Sequence, residues 1–168
     1  MLATSRSVGS RVLGPKPRAS SAETLEFLGA LWAVDQELRA LSKKMQRLMG
    51  VTAPQRLALR IIGLSPGLPA SALAAALHLH PSTVTGLLVR LTRKGLVQRR
   101  ADPGDARRVL LVLTARGARI NARRRGTVES AVSRSLGHLT SEQLTTVRDV
   151  LERLRQSAQL ERLERSSR

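Results

Sequence analysis

The amino-acid sequence predicts a mainly α-helical protein carrying one small β-hairpin, and three observations predict it. Apolar residues recur at three- and four-residue steps through much of the chain, the spacing of amphipathic helices. One stretch departs from this rhythm: Leu96 to Arg100 and Val109 to Thr114 read as strands around Asp102-Pro103-Gly104-Asp105, a strong turn signal. Gly50, Gly63, Pro69, Pro81 and Gly95 fall where helices should stop or start.

Residues 1–21 are rich in Ser, Arg, Gly and Pro, with no acid before Glu23, and read as a flexible basic arm. A transit peptide has similar composition, but no clear amphipathic helix accompanies it; a start site set too far upstream is the other alternative. From Glu23 to Met49 the residues Leu25, Leu28, Leu31, Trp32, Leu38, Leu41, Met45, Leu48 and Met49 trace a long helix. Ser21 is its expected cap and Gly50 its stop. Thr52-Ala53-Pro54 starts a second helix, whose buried side is expected to be Leu57, Leu59, Ile61 and Ile62. Pro69 to Leu77 is a short third helix, and Pro81 to Gly95 bounds a fourth with Val84, Leu87, Leu88 and Leu91 inward. Leu73, Leu77 and Leu79 are expected to form the core between these two. After the hairpin, Thr114 caps a helix from about Ala115 to Leu136, although Arg123-Arg124-Arg125-Gly126 interrupts it. Thr140 and Gln143 form a capping-box pattern before the stripe Leu144, Val147, Leu151, Leu154 and Ala158.

The chain has 168 residues, enough for one core with extensions, and a formal net charge of +17. That excess implies a polyanionic partner, either nucleic acid or an anionic membrane surface. The absence of cysteine excludes disulfides and thiolate metal sites. The longest apolar run, Ala72 to Leu77, is far short of the ~20 residues that cross a bilayer. No membrane partner is expected, and the expected location is the cytoplasm, at the nucleoid. The charge is concentrated in mid-chain: Arg90, Arg93, Lys94, Arg99, Arg100, Arg107 and Arg108 face only Asp102 and Asp105 across residues 64–113.

Short helix, tight turn, second helix and basic hairpin, in that order, form a winged helix-turn-helix, which sets one helix in the DNA major groove and a hairpin beside it. In the second helix Ser82, Thr83, Thr85, Gly86, Arg90 and Arg93 fall opposite the apolar positions. Small hydroxyl residues in a first turn let the backbone approach and can bond base edges or phosphates. Arg90, Arg93 and Lys94 should reach the flanking backbone. Each signal alone is also an ordinary helix start or end; their conjunction points to DNA. His78 lies in the turn, and His80 should cap the helix or meet a phosphate. With three His and no Cys, no metal or other cofactor is expected. Nor is an enzyme, since there is no phosphate-binding glycine loop, nucleophile motif or convergent carboxylate set.

The segment L-x-x-K-G-L-V-x-R-x-x-D-P-x-D-x-R, from Leu91 to Arg107, and the following L-x-L-T-x-x-G, from Leu111 to Gly117, resemble the MarR family of bacterial transcription regulators. The resemblance covers roughly residues 23–160. It implies a homodimer whose first and last helices interlock above two DNA-binding lobes. It also implies wing contacts through Arg99, Arg100, Arg107 and Arg108, with Asp102 and Asp105 bracing the hairpin by ion pairing. Gly104 stands where the family pattern has an arginine, so the tip contact passes to Arg107 or Arg108. Many relatives bind a small aromatic anion between the dimer helices and the lobe. Trp32, Arg39, Met45, Arg47 and Arg60 are the residues here with chemistry for such a ligand, although a core position is the simpler reading of Trp32.

The expected organisation is therefore an arm over 1–21, a dimerisation helix over 22–50, a DNA-binding lobe over 51–117, dimerisation helices over 118–163 and a frayed tail over 164–168. The expected function is sequence-specific regulation of transcription, as a homodimer on a near-palindromic operator, usually as a repressor relieved by a small ligand. The competing reading is a sequence-tolerant, architectural nucleic-acid-binding protein using the same lobe. One Phe, one Trp and no Tyr leave no stacking platform for single strands.

Overall fold

A computed structural model describes residues 19–102 and 104–166, without the side chains of residues 105–108, 165 and 166. The expected arm thus lies outside the described residues except for its last three positions, as do the last two residues of the expected tail. The described chain forms two units that part between Glu37 and Leu38, inside the first helix.

The first unit is the leading part of helix α1 (Ser21–Met49). Its cap is Ser20, one residue earlier than the sequence reading placed it. The Glu23 N–H donates to Ser20 Oγ at 3.2 Å, and the Ser20 N–H donates to Glu23 Oε2 at 2.7 Å. This reciprocal pair satisfies two backbone donors that a helix start leaves open. The Ser20 backbone bond, then its hydroxyl bond, hold the Glu23 carboxyl below the usual range. Trp32 is 63% exposed, which removes it from the core of this chain; Leu25, Phe27 and Val34 are exposed as well.

In the second unit α1 ends at Gly50, whose φ of +71° suits a residue without a Cβ. Thr52 then caps α2 (Ala53–Leu64) in a reciprocal box with Gln55. The inward face of α2 is Gln55, Arg56, Ala58, Leu59 and Ile62. Leu57 is exposed and Ile61 only half-buried, because the arginine, not the leucine, takes the inward position. Helices α3 (Ala70–Leu77) and α4 (Pro81–Arg93) follow, then strands β1 (Val97–Asp102) and β2 (Asp105–Leu113). Both strands run closer to the turn than the sequence suggested, pairing antiparallel from Val97 with Leu113 to Asp102 with Asp105. Residues just before α3, read as loop, form a third short edge. Pro69 bridges Leu110, and the Leu111 N–H donates to the Leu68 carbonyl at 3.1 Å.

One core joins these elements. Val51, Leu59 and Ile62 meet Leu73, Val84, Leu88, Leu91, Leu96, Val97 and Leu111, all essentially buried. Burying each large aliphatic side chain contributes about 1.5–3 kcal/mol. Leu77 and Leu79 pack at the margin of this core.

The helix expected over 115–136 is two helices, α5 (Ala115–Ala122) and α6 (Val128–Leu136), before α7 (Ser141–Ser166). The break has a local cause. Consecutive arginines repel, Gly126 takes a φ of +71°, and Thr127 caps α6 through Ser130. The break also has a tertiary partner in Arg56, which is 1% exposed. Its guanidinium donates to the carbonyls of Ile120, of Asn121 at 3.2 Å and of Arg123 at 2.5 Å, and its Nε donates to Glu129 Oε1 at 2.6 Å. The carbonyls that the broken helix leaves open are thus satisfied from α2. Burial opposes ionisation of Glu129, but the bond to Arg56 and its charge outweigh that and hold the carboxyl below its usual range.

Two predictions concern these contacts. A Cβ on Gly117 would lie 2.0 Å from the Leu96 carbonyl oxygen, so Gly117→Ala should lose about 3 kcal/mol in urea unfolding. Arg56→Ala should cost about as much by stranding buried acceptors. Because Glu129 has a lowered folded-state pKa, its contribution is present above the unfolded value of ~4.3 and lost as pH falls through the folded value. The stability gap between wild type and Glu129→Gln should therefore shrink on acidification below about pH 5; a gap unchanged down to the folded-state pKa counts against the pair.

Candidate nucleic-acid interface

Helices α3 and α4 meet at 110°, within the range of a helix-turn-helix. The turn between them is built on His78, which ends α3 with φ 51° and ψ 38°. Glycine is the usual occupant of that left-handed region, and an L side chain there costs about 1 kcal/mol or more. The cost is met by two hydrogen bonds: the His78 N–H reaches the Ala75 carbonyl and the Leu79 N–H the Ala74 carbonyl, each at 3.1 Å.

His80 caps α4, accepting from the Ser82 N–H through Nδ1 at 3.3 Å, with Ser82 Oγ also 2.8 Å from that nitrogen. Pro81 fills the first helical position, where no N–H is needed. Ser82, Thr83 and Thr85 are exposed on the first turn, opposite the buried Val84, Leu87, Leu88 and Leu91. Thr85 Oγ1 donates to the Pro81 carbonyl at 3.0 Å. Gly86 follows on the same helix, and a Cβ there would meet only the end of the Arg90 side chain at 3.7 Å.

The basic residues divide into two groups. Arg90 and Arg93 are exposed, and Arg93 shares a small groove with Arg99 of β1, alongside Val89 and Thr92. Arg99 and Arg100 are exposed on the hairpin. Lys94 is turned inward instead. Its Nζ donates to the Gly50 carbonyl at 2.5 Å and to Gln55 Oε1 at 3.1 Å. It fastens the end of α4 to the α1–α2 junction, a structural task that its position before Gly95 did not reveal. Asp102 braces the hairpin tip by accepting from the Gly104 N–H at 2.9 Å. The side chains of Asp105, Arg107 and Arg108 lie outside the described residues, so ion pairing with them does too.

The residues expected around a small ligand are dispersed within the second unit. Met45 is fully buried and its sulfur accepts from the Val128 N–H at 3.3 Å. Arg47 lines a shallow groove with Ser42, Lys43, Gln46 and Thr52. Arg60 is half-buried and donates to Asn121 Oδ1 at 3.2 Å. Burial, then the charges of Arg124 and Arg56, lower its pKa. Arg39 is exposed on α1. Among the described residues no three His, Asp or Glu side chains converge as a metal site, and no single helix is long and apolar enough to cross a membrane.

Arg56 is the residue that the sequence reading missed. Its signal was an arginine at a helical position in phase with Leu59 and Ile62, which reads as surface unless its partners are known.

The architecture is that of a winged helix-turn-helix protein. Residues 51–109 match the family model described as MarR family. An HTH-type transcriptional repressor of Mycobacterium tuberculosis is 33% identical over 106 residues, which span 63% of this chain and 76% of that protein. The chain belongs to the MarR family. A solved MarR family transcription regulator aligns at 30% identity and a TM-score of 0.57, over 84% of this chain and 97% of that one. The fold also matches MepR of S. aureus, solved as a DNA complex, with a TM-score of 0.63 at 22% identity over 79% of this chain and 97% of that one.

The backbone of the turn gives a direct prediction. His78→Gly should raise stability by about 1 kcal/mol in thermal unfolding, since it removes the left-handed penalty. A loss would mean that the imidazole contributes more packing than its conformation costs.

Proposed function

We propose that this protein is a sequence-specific DNA-binding regulator of transcription that acts as a homodimer. One observation carries the reading: the hydroxyl-bearing first turn of α4 projects from a 110° helix-turn-helix, next to a hairpin bearing exposed Arg99 and Arg100. A helix entering the major groove by its N-terminal end places Ser82, Thr83 and Thr85 at base edges, while Arg90, Arg93, Arg99 and Arg100 meet phosphates. Gly86 leaves room for close approach. His80 joins the phosphate contacts at the helix start. Arg107 and Arg108 are assigned to the minor groove beside the wing, with Asp102 and Asp105 shaping its tip. The M. tuberculosis relative's description as a repressor supports repression as the mode of action, and the MepR complex supports double-stranded DNA as partner.

Apolar side chains left in water support the dimer. Leu25, Trp32 and Val34 of the first unit are more than half exposed, and in the second unit Leu151, Leu160 and Leu163 of α7 are between 48% and 61% exposed. A second copy covering these faces would set two α4 helices to read successive major grooves, about 34–36 Å apart. On this reading residues 51–117 are the DNA-binding lobe, flanked by dimerisation helices over 22–50 and 118–163. Trp32, Arg39, Arg47 and Arg60 are the candidates for a small aromatic or anionic effector held near the dimer helices.

A sequence-tolerant reading draws on the +17 charge and on exposed Arg123, Arg124 and Arg125. The two separate by substitution, using an operator selected from random duplexes. Thr83→Ala or Thr85→Ala should reduce discrimination between that operator and its single-base variants by about 1–3 kcal/mol. Equal weakening on every duplex would favour the sequence-tolerant reading. Arg107→Ala should weaken binding most at sites with an A·T-rich minor groove. Sedimentation equilibrium should give twice the 18.3 kDa chain mass, and Leu151→Asp should shift it toward the monomer.

A further inference from the structure

A cavity of about 750 Å³ opens between the turn of the helix-turn-helix and the last third of α7, both in the second unit. Its polar wall is His78, His80, Arg155, Gln159 and Arg162; its apolar wall is Leu79, Pro81, Ala158 and Leu163. This volume suits a small molecule, and the mixed lining suits one with a charged end and an apolar body. The charge can be counted. Arg155 donates to both oxygens of Glu152, at 2.6 and 2.8 Å, and to Gln159 at 3.1 Å. That carboxylate, held at a pKa of about 2 first by Arg155 and then by Gln156, offsets one guanidinium. Arg162 supplies the remaining positive charge, so the complement is a monoanion.

Two features of the turn point to the same place. His78 keeps a left-handed backbone conformation that glycine would adopt without strain, and its side chain lines the cavity. Residues held against their conformational preference cluster where a ligand or a partner uses them. His80 commits Nδ1 to the cap of α4, which leaves Nε2 for an outside partner.

We propose that this cleft binds a small organic monocarboxylate with an apolar body, and that the bound ligand opposes DNA binding by occupying the start of α4. The second half rests on the DNA-binding reading above; the first does not. His80 and Pro81 belong both to the cleft and to the end of α4 assigned to DNA, so ligand and duplex compete for the same approach.

The test uses the full chain and 2-naphthoate, whose fluorescence reports binding without DNA, with neutral 2-naphthamide as its comparison. Saturable naphthoate binding is expected, with the amide at least ~10-fold weaker, as for loss of a charged hydrogen-bonding partner. Arg162→Ala and Arg155→Ala should each weaken naphthoate at least ~10-fold, while Arg123→Ala, away from the cleft, leaves it within about twofold. Circular dichroism confirms that each variant is folded. His78→Gly should weaken naphthoate binding despite its relaxed backbone, a combination that a purely structural histidine would not give. Absence of saturable binding up to millimolar naphthoate, or binding indifferent to both arginines, overturns the site. In a DNA titration, naphthoate should raise the apparent Kd of wild type and leave that of Arg162→Ala unchanged. Naphthoate binding with undisturbed DNA binding overturns the competition alone. Failure of the ligand-free wild type to bind any duplex overturns the regulatory reading and leaves the fluorescence result standing.

Discussion

The bond network of Arg56 is the constraint on which the second unit depends. A guanidinium that is 1% exposed is stable only if its donors are all answered, and here three carbonyls and one carboxylate answer them. The consequence is geometric. The same arginine that sits in the first helix of the lobe also closes the open end of α5 and holds the start of α6 through Glu129. The helix leaving the lobe cannot continue straight, because the carbonyls that would propagate it are bonded to α2. The orientation of α4 and the hairpin relative to α6 is therefore set by a charged, directional contact rather than by apolar packing alone. Such a contact is intolerant of partial loss, since removing one partner strands the others in low dielectric.

A second economy operates at the other end of the lobe. Lys94 spends its charge on the Gly50 carbonyl and on Gln55, which ties α4 to the α1–α2 junction. The cations left on the outer face are Arg90, Arg93, Arg99 and Arg100, and arginine suits phosphate better than lysine does because its planar fork can bond two oxygens. The first turn of α4 arrives with its hydrogen bonds provisionally satisfied: His80 with Ser82, and Thr85 with Pro81. Base contacts must replace these local bonds. A base that offers good geometry repays the exchange and a wrong one does not, which is how short hydroxyl side chains discriminate.

Much of this architecture was legible in the sequence. Period-3.6 patterning located the helices, and in α4 it named all four inward residues. Asp102 to Asp105 marked the hairpin turn, and Pro81 and Gly50 marked helix ends, because each of these residues has few backbone conformations to choose from. What stayed illegible depended on partners distant in the chain. Nothing local tells that Arg56 lies inside, that Leu57 consequently lies outside, or that Lys94 is internal, since each outcome is settled by groups on other elements. The split of the helix after Ala122 was half visible, in the run of arginines and Gly126, but its stability comes from Arg56. The cap at Ser20 was readable from Ser20 and Glu23 at three-residue spacing and was passed over for its neighbour. The interface followed the same division. Ser82, Thr83, Thr85, Arg90, Arg93, Arg99 and Arg100 are exposed as their spacing suggested, whereas the residues thought suitable for a ligand were chosen by chemistry alone and the structure does not bring them together in the second unit.

The most direct measurement of the central claim is fluorescence anisotropy with the duplex upstream of this protein's own gene, titrated beside a scrambled duplex of equal length at rising salt. The account predicts a preference of about 10³-fold or more that persists near physiological salt, because base-edge contacts from α4 survive when counterion release no longer favours binding. Equal affinities that collapse together as salt rises, for this duplex and for duplexes selected from a random pool, would contradict it.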